Sequence, residues 1–173
     1  QLDRFMFMVN VDYPSRDEER LIVRATTTEM TGQPEAVLGG QDILALQRII
    51  RKVPVSQHVV DYAVNLTRAS RPDDGTAPQF VKNYLTWGAG PRAAQYLVLG
   101  AKSRAILHSR YNVSCEDVRA IAKPVMRHRI FTNFNADAEG VSPDRIVEML
   151  IEAVGEPQTA DYKDSAGATG AGA

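Results

Sequence analysis

The chain has 173 residues, of which 44% are hydrophobic and 24% charged, and its formal net charge is -1. This length suits one ordinary domain, or a small domain with a fragment of another, and the apolar content predicts that most of the chain folds. The near-neutral charge argues against nucleic acid or an acidic membrane as a partner. The single cysteine excludes an internal disulfide framework and a multi-cysteine zinc site, and it fits a reducing, cytoplasmic compartment. No apolar run approaches the ~18 residues that span a bilayer, so we expect no transmembrane segment.

An almost continuous apolar run, Phe-Met-Phe-Met-Val-Asn-Val, occupies residues 5–11. Such a run is typical of a strand that is covered on both faces in a parallel α/β sheet. Nothing later in the sequence resembles a set of parallel strands, and the chain starts with Gln1 rather than methionine. We therefore expect the chain to be a piece of a longer protein that supplies the rest of the sheet. Ser15 and Glu18 then have the spacing of a capping box, which predicts a helix that runs to about Thr27.

A linker with glycines and a proline is expected at 29–41. After it, apolar residues recur at helical spacing throughout 42–154, which predicts a helical domain. Pro54 ends the first helix of this domain, Ser56 is placed to cap the second, and a short helix is expected at 80–87.

Three further helices are predicted towards the end of this domain. The first begins at Pro91, and Ser114 and Ser142 are placed to cap the other two. Residues 130–134 alternate weakly between apolar and polar side chains, which indicates a short strand. Residues 155–173 are polar, small and rich in glycine and alanine, so we expect a disordered tail.

Arg92 stands at the start of one of these helices. Gly90 can serve as the N-cap and Pro91 suits the first helical position, which places Arg92 at the second. An arginine there faces the positive end of the helix dipole, at a cost of about 0.3–1 kcal/mol at an exposed site. The arrangement is explained if an anion, most obviously a phosphate, binds to the free backbone N–H groups and the guanidinium together. The alternative is an exposed arginine on an ordinary helix.

Other arginines are open to two interpretations each. Arg4 either pairs with Asp3 at the mouth of the predicted strand or is supplied across a subunit interface, where an arginine finger stabilises charge on a transferring phosphoryl group. Arg68 and Arg71 lie in a turn-forming segment at 67–75 that also contains two aspartates. This segment is either a solvated turn with internal ion pairs or, for Arg71, a neighbour of the phosphate site.

The sequence does not support other kinds of chemistry. The histidines His58, His108 and His128 are far apart and lack metal-ligand spacing, so no metal site is assigned. Cys115 has no base beside it and is interpreted as structural. There is no Gly-x-Ser-x-Gly motif, no carboxylate pair for acid–base catalysis and no Gly-x-x-x-x-Gly-Lys-Ser/Thr phosphate loop. Any phosphate bound here is therefore expected at an accessory part of a nucleotide site.

Taken in order, several segments resemble the C-terminal part of MoxR-type AAA+ ATPases over roughly residues 1–154. They are Leu-Asp-Arg-Phe at 2–5, Pro-Ser-Arg-Asp-Glu-Glu-Arg at 14–20, Thr-Arg at 67–68, Trp-Gly-Ala-Gly-Pro-Arg-Ala at 87–93 and Pro-Val-Met-Arg-His-Arg at 124–129. The resemblance implies a mainly α fold. A strand and helix at 1–28 would be the remnant of an α/β AAA+ core, and 42–154 would be the helical lid bundle.

The resemblance also implies roles for individual residues. Arg4 corresponds to the arginine finger, which acts in trans on ATP bound to the neighbouring subunit. Arg92 corresponds to the sensor-two arginine, which acts in cis on the γ-phosphate, with Gly90 and Pro91 beside it, and links lid position to nucleotide state. The family often has serine where this chain has Gly90, which removes a capping hydroxyl but keeps an acceptable N-cap.

Intact members of this family are ring-forming, chaperone-like ATPases that use ATP and Mg2+. The resemblance implies a homo-oligomeric ring, expected to be a hexamer, that assembles or activates protein clients, in some cases with a partner that bears a von Willebrand factor A domain. Walker A, Walker B and sensor-one residues are not present in the sequence, so we expect these residues alone to be inactive. Two alternatives stay open: a magnesium-chelatase-like AAA+ motor subunit, and a helical binding module with no nucleotide role.

Overall fold

The computed structural model describes residues 1–28, 32 and 35–157 of the chain. The predicted linker at 29–41 lies partly outside these residues. The predicted disordered tail at 155–173 lies almost entirely outside them, so it stays a prediction.

Two compact units make up the described chain. The larger unit combines Gln1–Met8 with the chain from Ile49 onwards, and the smaller unit is Val9–Arg48. The smaller unit contains helix α1 (Arg16–Thr27) and most of helix α2 (Gly40–Lys52).

The predicted capping box at the start of α1 is confirmed. Ser15 Oγ accepts a hydrogen bond from the Glu18 backbone N–H at 3.4 Å, and the Ser15 N–H donates to Glu18 Oε2 at 2.8 Å. These bonds satisfy backbone donors that the start of a helix otherwise leaves without partners. Hydrogen bonds from the Ser15 hydroxyl and N–H also lower the pKa of Glu18 below its ordinary value.

The strand predicted at 5–11 is not formed. Leu2–Arg4 makes one turn of 3-10 helix, and residues 7–15 have no regular secondary structure. A strand needs neighbouring strands to take up its backbone hydrogen bonds. Within the described chain this segment is bonded to a helix instead, because the Met8 N–H donates to the Pro124 carbonyl at 2.8 Å. The apolar run therefore identifies hydrophobic side chains but not a strand.

The larger unit is built mainly from helices, as predicted, and it contains one two-stranded antiparallel sheet. Its elements are α3 (Gln57–Ala69), α4 (Gln79–Tyr84), β1 (Leu85–Trp87), α5 (Pro91–Leu107), α6 (Cys115–Met126), β2 (Phe131–Thr132), α7 (Phe134–Glu139) and α8 (Pro143–Ala153). Helix α5 packs against α3 and α6, and α8 packs against α6. None of the helices in the described ranges combines the length and the apolar character needed to cross a membrane.

Gly100 of α5 lets this helix approach α6 closely. On α5, Ala93, Leu97 and Ala101 are fully buried. A Cβ atom on Gly100 would lie only 2.5 Å from Cδ1 of Ile121 on α6, so this position requires glycine unless the Ile121 side chain moves. The helical spacing of these residues is what the sequence predicts for a core-facing surface.

A buried aspartate joins the ends of the same two helices. Asp117 accepts hydrogen bonds from Arg104 Nη1 at 2.6 Å and from Arg110 Nη1 at 2.7 Å, and it completes a capping box with Ser114 at the start of α6. Burial alone would raise the pKa of Asp117, but the hydrogen bonds from Arg110, Ser114 and Arg104 hold it well below its ordinary value. A fully paired carboxylate of this kind is the form in which a buried charge is tolerated.

The small sheet corrects one element of the prediction. The sequence predicts a single helix over 80–87, but α4 ends at Tyr84 and the next three residues pair with β2. The Asn133 N–H donates to the Tyr84 carbonyl at 2.9 Å, which fixes the point where the helix ends. The strand indicated at 130–134 is confirmed at Phe131–Thr132. Strand pairing with a distant segment therefore overrides the local preference for helix.

Helix α7 is not predicted from the sequence. The Asn133 side-chain oxygen accepts hydrogen bonds from the N–H groups of Asn135 at 3.0 Å and Ala136 at 3.2 Å, which starts the helix. Gly140 ends it in the left-handed conformation, with φ of 68°. Six residues are too few to show a helical period.

Candidate functional site

Gly90, Pro91 and Arg92 form the start of α5, as predicted. Gly90 is the N-cap, with φ of -79° and ψ of 176°, and Pro91 is the first helical residue. No side chain caps this end of the helix in the described structure, Pro91 has no N–H group, and the Ala93 N–H donates to the Gly90 carbonyl at 3.0 Å, so the Arg92 N–H is the first-turn donor that a capping serine or aspartate would otherwise bind. The backbone N–H and the guanidinium of Arg92 thus lie together at the positive end of a 17-residue helix, which favours an anion there.

Asp3 joins Arg92 to a second arginine. Asp3 Oδ2 accepts a hydrogen bond from Arg92 Nη1 at 2.7 Å, and Asp3 Oδ1 accepts one from Arg129 Nε at 3.0 Å. The side chains of Asp3 and Arg92 are 52% and 45% exposed, whereas that of Arg129 is 1% exposed. A solvent-exposed ion pair contributes about 0–1 kcal/mol. The Asp3–Arg92 pair can therefore be exchanged for another anion at little cost.

Arg129 holds the first residues of the chain against the helices through hydrogen bonds. Its guanidinium donates to the backbone carbonyls of Asp3 at 2.9 Å, Phe5 at 2.6 Å and Met6 at 3.3 Å. It also lies 5.0 Å from the centroid of the Tyr96 ring. Burial lowers the pKa of Arg129 from its ordinary value, although Asp3 acts in the opposite direction. A buried guanidinium is stable here because acceptors surround it.

Arg129 is the last residue of the Pro-Val-Met-Arg-His-Arg segment at 124–129, but its sequence context predicts no role for it. The available signal is a basic residue just after an amphipathic helix, and that signal does not reveal a partner 126 positions away. The structure therefore adds Arg129 to the candidate site as the residue that positions Asp3.

Arg4 is exposed and follows Asp3 in the same 3-10 turn. Its side chain forms no ion pair with any residue that the structure describes, and Asp3 pairs with Arg92 and Arg129 instead. The interpretation of Arg4 as an arginine paired with Asp3 is therefore wrong. The hydroxyl group of Tyr96 donates to the Arg4 carbonyl at 2.9 Å, which holds the backbone at this position.

A cavity of about 400 Å³ lies against Gly90 and Pro91, and Arg71 lines it. Arg71 Nε donates to the Ala89 carbonyl at 2.9 Å, and Ser70 Oγ accepts from the Ala89 N–H at 2.9 Å. These two bonds fix the turn that contains Arg71 to the loop that leads into α5. Arg71 therefore lies beside Gly90 and Pro91, and its interpretation as a neighbour of a phosphate site stays a prediction.

A second cavity, of about 340 Å³, is lined by Asp3, Arg129 and the other side of the same loop. Both cavities are bordered by Gly88 and Gly90. A Cβ atom on Gly88 would lie 2.3 Å from the carbonyl oxygen of Ser70, which is backbone and cannot move aside easily. The loop before Arg92 is thus closely fitted to its surroundings and has open space on both sides.

Arg68 belongs to the turn itself. It forms an ion pair with Asp74, with Nη2 and Oδ2 2.9 Å apart. The N–H and hydroxyl groups of Thr76 also donate to Asp74 Oδ1, at 3.0 Å and 2.7 Å. These bonds from Thr76, with a smaller contribution from Arg68, lower the pKa of Asp74 to about 2. For Arg68 the structure supports the solvated turn with an internal ion pair.

The surroundings of Cys115 differ from the sequence interpretation. No base is near Cys115 in the sequence, yet its Sγ lies 3.3 Å from Nε2 of His58 in the structure. The Glu156 carboxylate lies close to both residues. Burial raises the pKa of Cys115 to about 11, and the negative charge of Glu156 adds to this effect. The thiol is therefore protonated at neutral pH and is not poised as a nucleophile.

Comparison with known proteins finds similarity to an AAA lid domain and to MoxR proteins. The model of the AAA lid domain family matches residues 79–150. The chain is similar to Chaperone MoxR1 of Mycobacterium tuberculosis, with 35% identity over 159 residues, which are 91% of this chain and 42% of that protein. It is also similar to the uncharacterized protein YeaC of Bacillus subtilis, with 27% identity over 158 residues, which are 91% of this chain and 47% of that protein.

The crystal structure of a candidate ATPase from Cytophaga hutchinsonii matches with a TM-score of 0.81 and 28% identity, over 91% of this chain and 48% of that one. The fold is thus shared with that ATPase structure, and the lid-domain match lies in the helical unit. Its resemblance to the MoxR-type AAA+ ATPases is confirmed. The chain spans less than half the length of the relatives that it matches.

Proposed function

We propose that this chain forms the lid-bearing part of a MoxR-type AAA+ ATPase and that Arg92 senses the γ-phosphate of ATP. The observation that supports this most is the pairing of Arg92, at an uncapped helix start, with the exposed carboxylate of Asp3. Carboxylate and phosphate oxygens are both anions that a guanidinium binds through charge-assisted hydrogen bonds. The γ-phosphate would therefore take the place of the Asp3 carboxylate on Arg92.

The residues around Arg92 fit a nucleotide phosphate. The positive end of the α5 dipole, the Arg92 guanidinium and open space on both sides of Gly90 are features that suit an anion site. ATP supplies the phosphoanhydride bond that is cleaved, and Mg2+ neutralises part of its charge. The chain has no phosphate loop of its own, so we propose that these residues alone neither bind ATP tightly nor hydrolyse it.

The exchange of the Asp3 carboxylate for a phosphate on Arg92 would couple nucleotide binding to the N-terminal turn, which contains Asp3. When Arg92 binds phosphate, Asp3 keeps Arg129 as its partner, so the turn stays attached to the helices. Arg4 follows Asp3 in that turn. We propose that Arg4 is the arginine finger that acts in trans on the ATP of a neighbouring subunit. Its exposure, and the lack of an ion pair to it within the described residues, support this role.

The whole protein is proposed to act as a ring, with the hexamer as the expected form, in the cytoplasm. In such a ring each Arg4 would reach the ATP of the next subunit. ATP hydrolysis would drive chaperone-like assembly or activation of protein clients, with a protein that bears a von Willebrand factor A domain as one kind of partner.

Replacing Arg92 in the full-length protein tests the sensor role. Arg92→Ala is expected to reduce ATP turnover at least about tenfold, because the arginine would no longer stabilise the charge of the transferring phosphoryl group. Arg145→Ala is the matched control, since Arg145 is also an exposed arginine near the start of a helix that opens with proline. Its turnover should stay unchanged. Equal turnover in the two variants would refute the sensor role.

Mixing experiments test the trans role of Arg4. Subunits with Arg4→Ala are mixed with subunits that cannot hydrolyse ATP but keep Arg4. A finger that acts in trans should restore turnover, because the intact Arg4 then serves the competent site of its neighbour. The control mixture uses hydrolysis-deficient subunits that also carry Arg4→Ala, and it should show no recovery. The absence of recovery in the first mixture would contradict the trans role.

A further inference from the structure

Three potential metal ligands meet at one place in the larger unit. His58 lies in the first turn of α3, Cys115 is the first residue of α6, and Glu156 follows the end of α8. One donor atom from each of them lies within 4.8 Å of the donor atoms of the other two. The cluster is distinct from the Arg92 site and has no part in the function proposed above.

The spacing of two of these donors matches that of ligands on one metal ion. Sγ of Cys115 and Nε2 of His58 are 3.3 Å apart. Two ligands of a tetrahedral zinc ion, with Zn–S of about 2.3 Å and Zn–N of about 2.0 Å, lie about 3.5 Å from each other. The side chains of Cys115 and His58 are therefore already close to the separation that a shared ion imposes.

The burial of the cluster is suited to an ion that enters from solvent. Cys115 is buried, His58 is half-buried and Glu156 is exposed. An ion bound by the buried sulfur and the half-buried imidazole would thus face solvent on the side of the carboxylate. Water can then take the fourth position, as it does on zinc ions with three protein ligands.

A neighbouring arginine holds the carboxylate. Arg119 forms an ion pair with Glu156, and its guanidinium lies 5.8 Å from the centroid of the Tyr62 ring. Metal-binding carboxylates are commonly oriented by such hydrogen-bonding partners. Since Glu156 has two oxygens, one can stay with Arg119 while the other binds a metal ion.

We propose that His58, Cys115 and Glu156 bind one divalent transition-metal ion, with Zn2+ as the best match. One thiolate, one imidazole and one carboxylate are the ligand types that zinc accepts together, whereas Mg2+ and Ca2+ require oxygen ligands. Binding displaces the thiol proton of Cys115 into solvent and forms the metal–sulfur bond. The ion would connect α3, α6 and the segment after α8, so it would stabilise the folded state.

Cobalt(II) provides a direct probe of this site in the chelator-treated chain. One equivalent of Co2+ is expected to produce a thiolate-to-metal charge-transfer absorption band, and Zn2+ should remove the band by replacing Co2+. Cys115→Ser should abolish the band, and His58→Gln and Glu156→Gln should each weaken Co2+ binding at least tenfold. His108→Gln is the control, because His108 is an exposed histidine outside the cluster, and it should bind as the unmodified chain does.

A melting experiment with one equivalent of Zn2+ gives a second readout. The melting temperature of the unmodified chain and of His108→Gln should rise, and that of Glu156→Gln should rise much less. Glu156 is exposed, so this variant keeps the test valid even if Cys115→Ser fails to fold. The proposal is overturned if the unmodified chain shows no charge-transfer band. It is also overturned if His58→Gln and Glu156→Gln bind Co2+ as tightly as His108→Gln, which would indicate an adventitious ion only.

Discussion

Arg92 and Asp3 are 89 positions apart in the chain, yet Nη1 of the arginine lies 2.7 Å from Oδ2 of the aspartate. Asp3 is bound at the same time by Arg129, which is buried and holds the surrounding backbone. The aspartate is therefore fixed in place while its partner Arg92 stays accessible to solvent. In the proposed mechanism, this asymmetry lets Arg92 change partners without releasing the N-terminal turn.

Replacing Asp3 tests the proposed competition with phosphate. In the full-length protein, Asp3→Asn is expected to increase ATP affinity several-fold, because a neutral amide competes for Arg92 more weakly than a carboxylate does. Fluorescent-nucleotide titration measures this change. Asp12→Asn, at an exposed aspartate of the smaller unit, is the control and should leave affinity unchanged. Unchanged or weaker ATP binding in Asp3→Asn would contradict the competition.

Arg129 is expected to contribute strongly to stability. Arg129→Met keeps an apolar stem but removes the hydrogen bonds to the carbonyls of Asp3, Phe5 and Met6, of which the Phe5 carbonyl keeps its contact with His128. A buried polar group without a partner costs about 1–3 kcal/mol, so the free energy of unfolding should fall by at least about 2 kcal/mol. Urea denaturation gives the value. Arg145→Ala is the control, since Arg145 is exposed, and it should change the free energy of unfolding by less than about 0.5 kcal/mol. An equally small change in Arg129→Met would show that the contacts of Arg129 do not contribute to stability.

The loop before Arg92 should tolerate no side chain at position 88. In Gly88→Ala the new Cβ would lie 2.3 Å from the Ser70 carbonyl oxygen and 2.6 Å from the Cα of Arg71, so the two backbone segments must separate. We expect a loss of stability of about 1–3 kcal/mol, as in other overpacked sites, together with weaker ATP binding by the full-length protein. Gly75→Ala is the control, since nothing lies within 4 Å of its added Cβ. If both variants unfold at the same urea concentration, the close packing of this loop does not restrict the residue at position 88.

Stability should depend on pH through His128. Burial lowers the pKa of His128 below its ordinary value of 6.5, with Arg129 acting in the same direction and the Phe5 carbonyl and Asp3 opposing it. The folded state then binds fewer protons than the unfolded state, so this contribution to stability is complete above about pH 6.5 and decreases as the pH falls below it. The free energy of unfolding of His128→Gln should show a smaller slope between about pH 7 and pH 5 than that of His108→Gln. If the free energy of unfolding of the two variants has the same slope against pH, the pH dependence comes from groups other than His128.

The sequence predicts those features whose causes lie within a few residues. The Ser15–Glu18 capping box, the Gly90–Pro91 helix start and the cap at Ser142 all depend on local hydrogen bonds or on a fixed backbone angle, and all three are confirmed. The apolar faces of the long helices are also predictable, because a period of 3.6 residues is visible within one segment.

Features that depend on distant partners are not predictable in this way. Residues 5–11 have the composition of a buried strand but no adjacent strand in the described chain, and β1 forms only because β2 pairs with it. Likewise, no local pattern indicates that Arg129 binds Asp3 or that His58 contacts Cys115. In each case the strand or contact depends on a residue that is far away in the sequence.

The central claim, that Arg92 recognises the γ-phosphate, is tested most directly by comparing ATP and ADP binding to the full-length protein with and without Arg92. Loss of one charge-assisted hydrogen bond of about 1.5–3 kcal/mol corresponds to a decrease in affinity of at least about tenfold. Arg92→Ala should therefore weaken ATP binding by at least about tenfold while changing ADP binding by less than about twofold. If the substitution leaves ATP affinity unchanged, or weakens ATP and ADP binding equally, Arg92 does not sense the γ-phosphate.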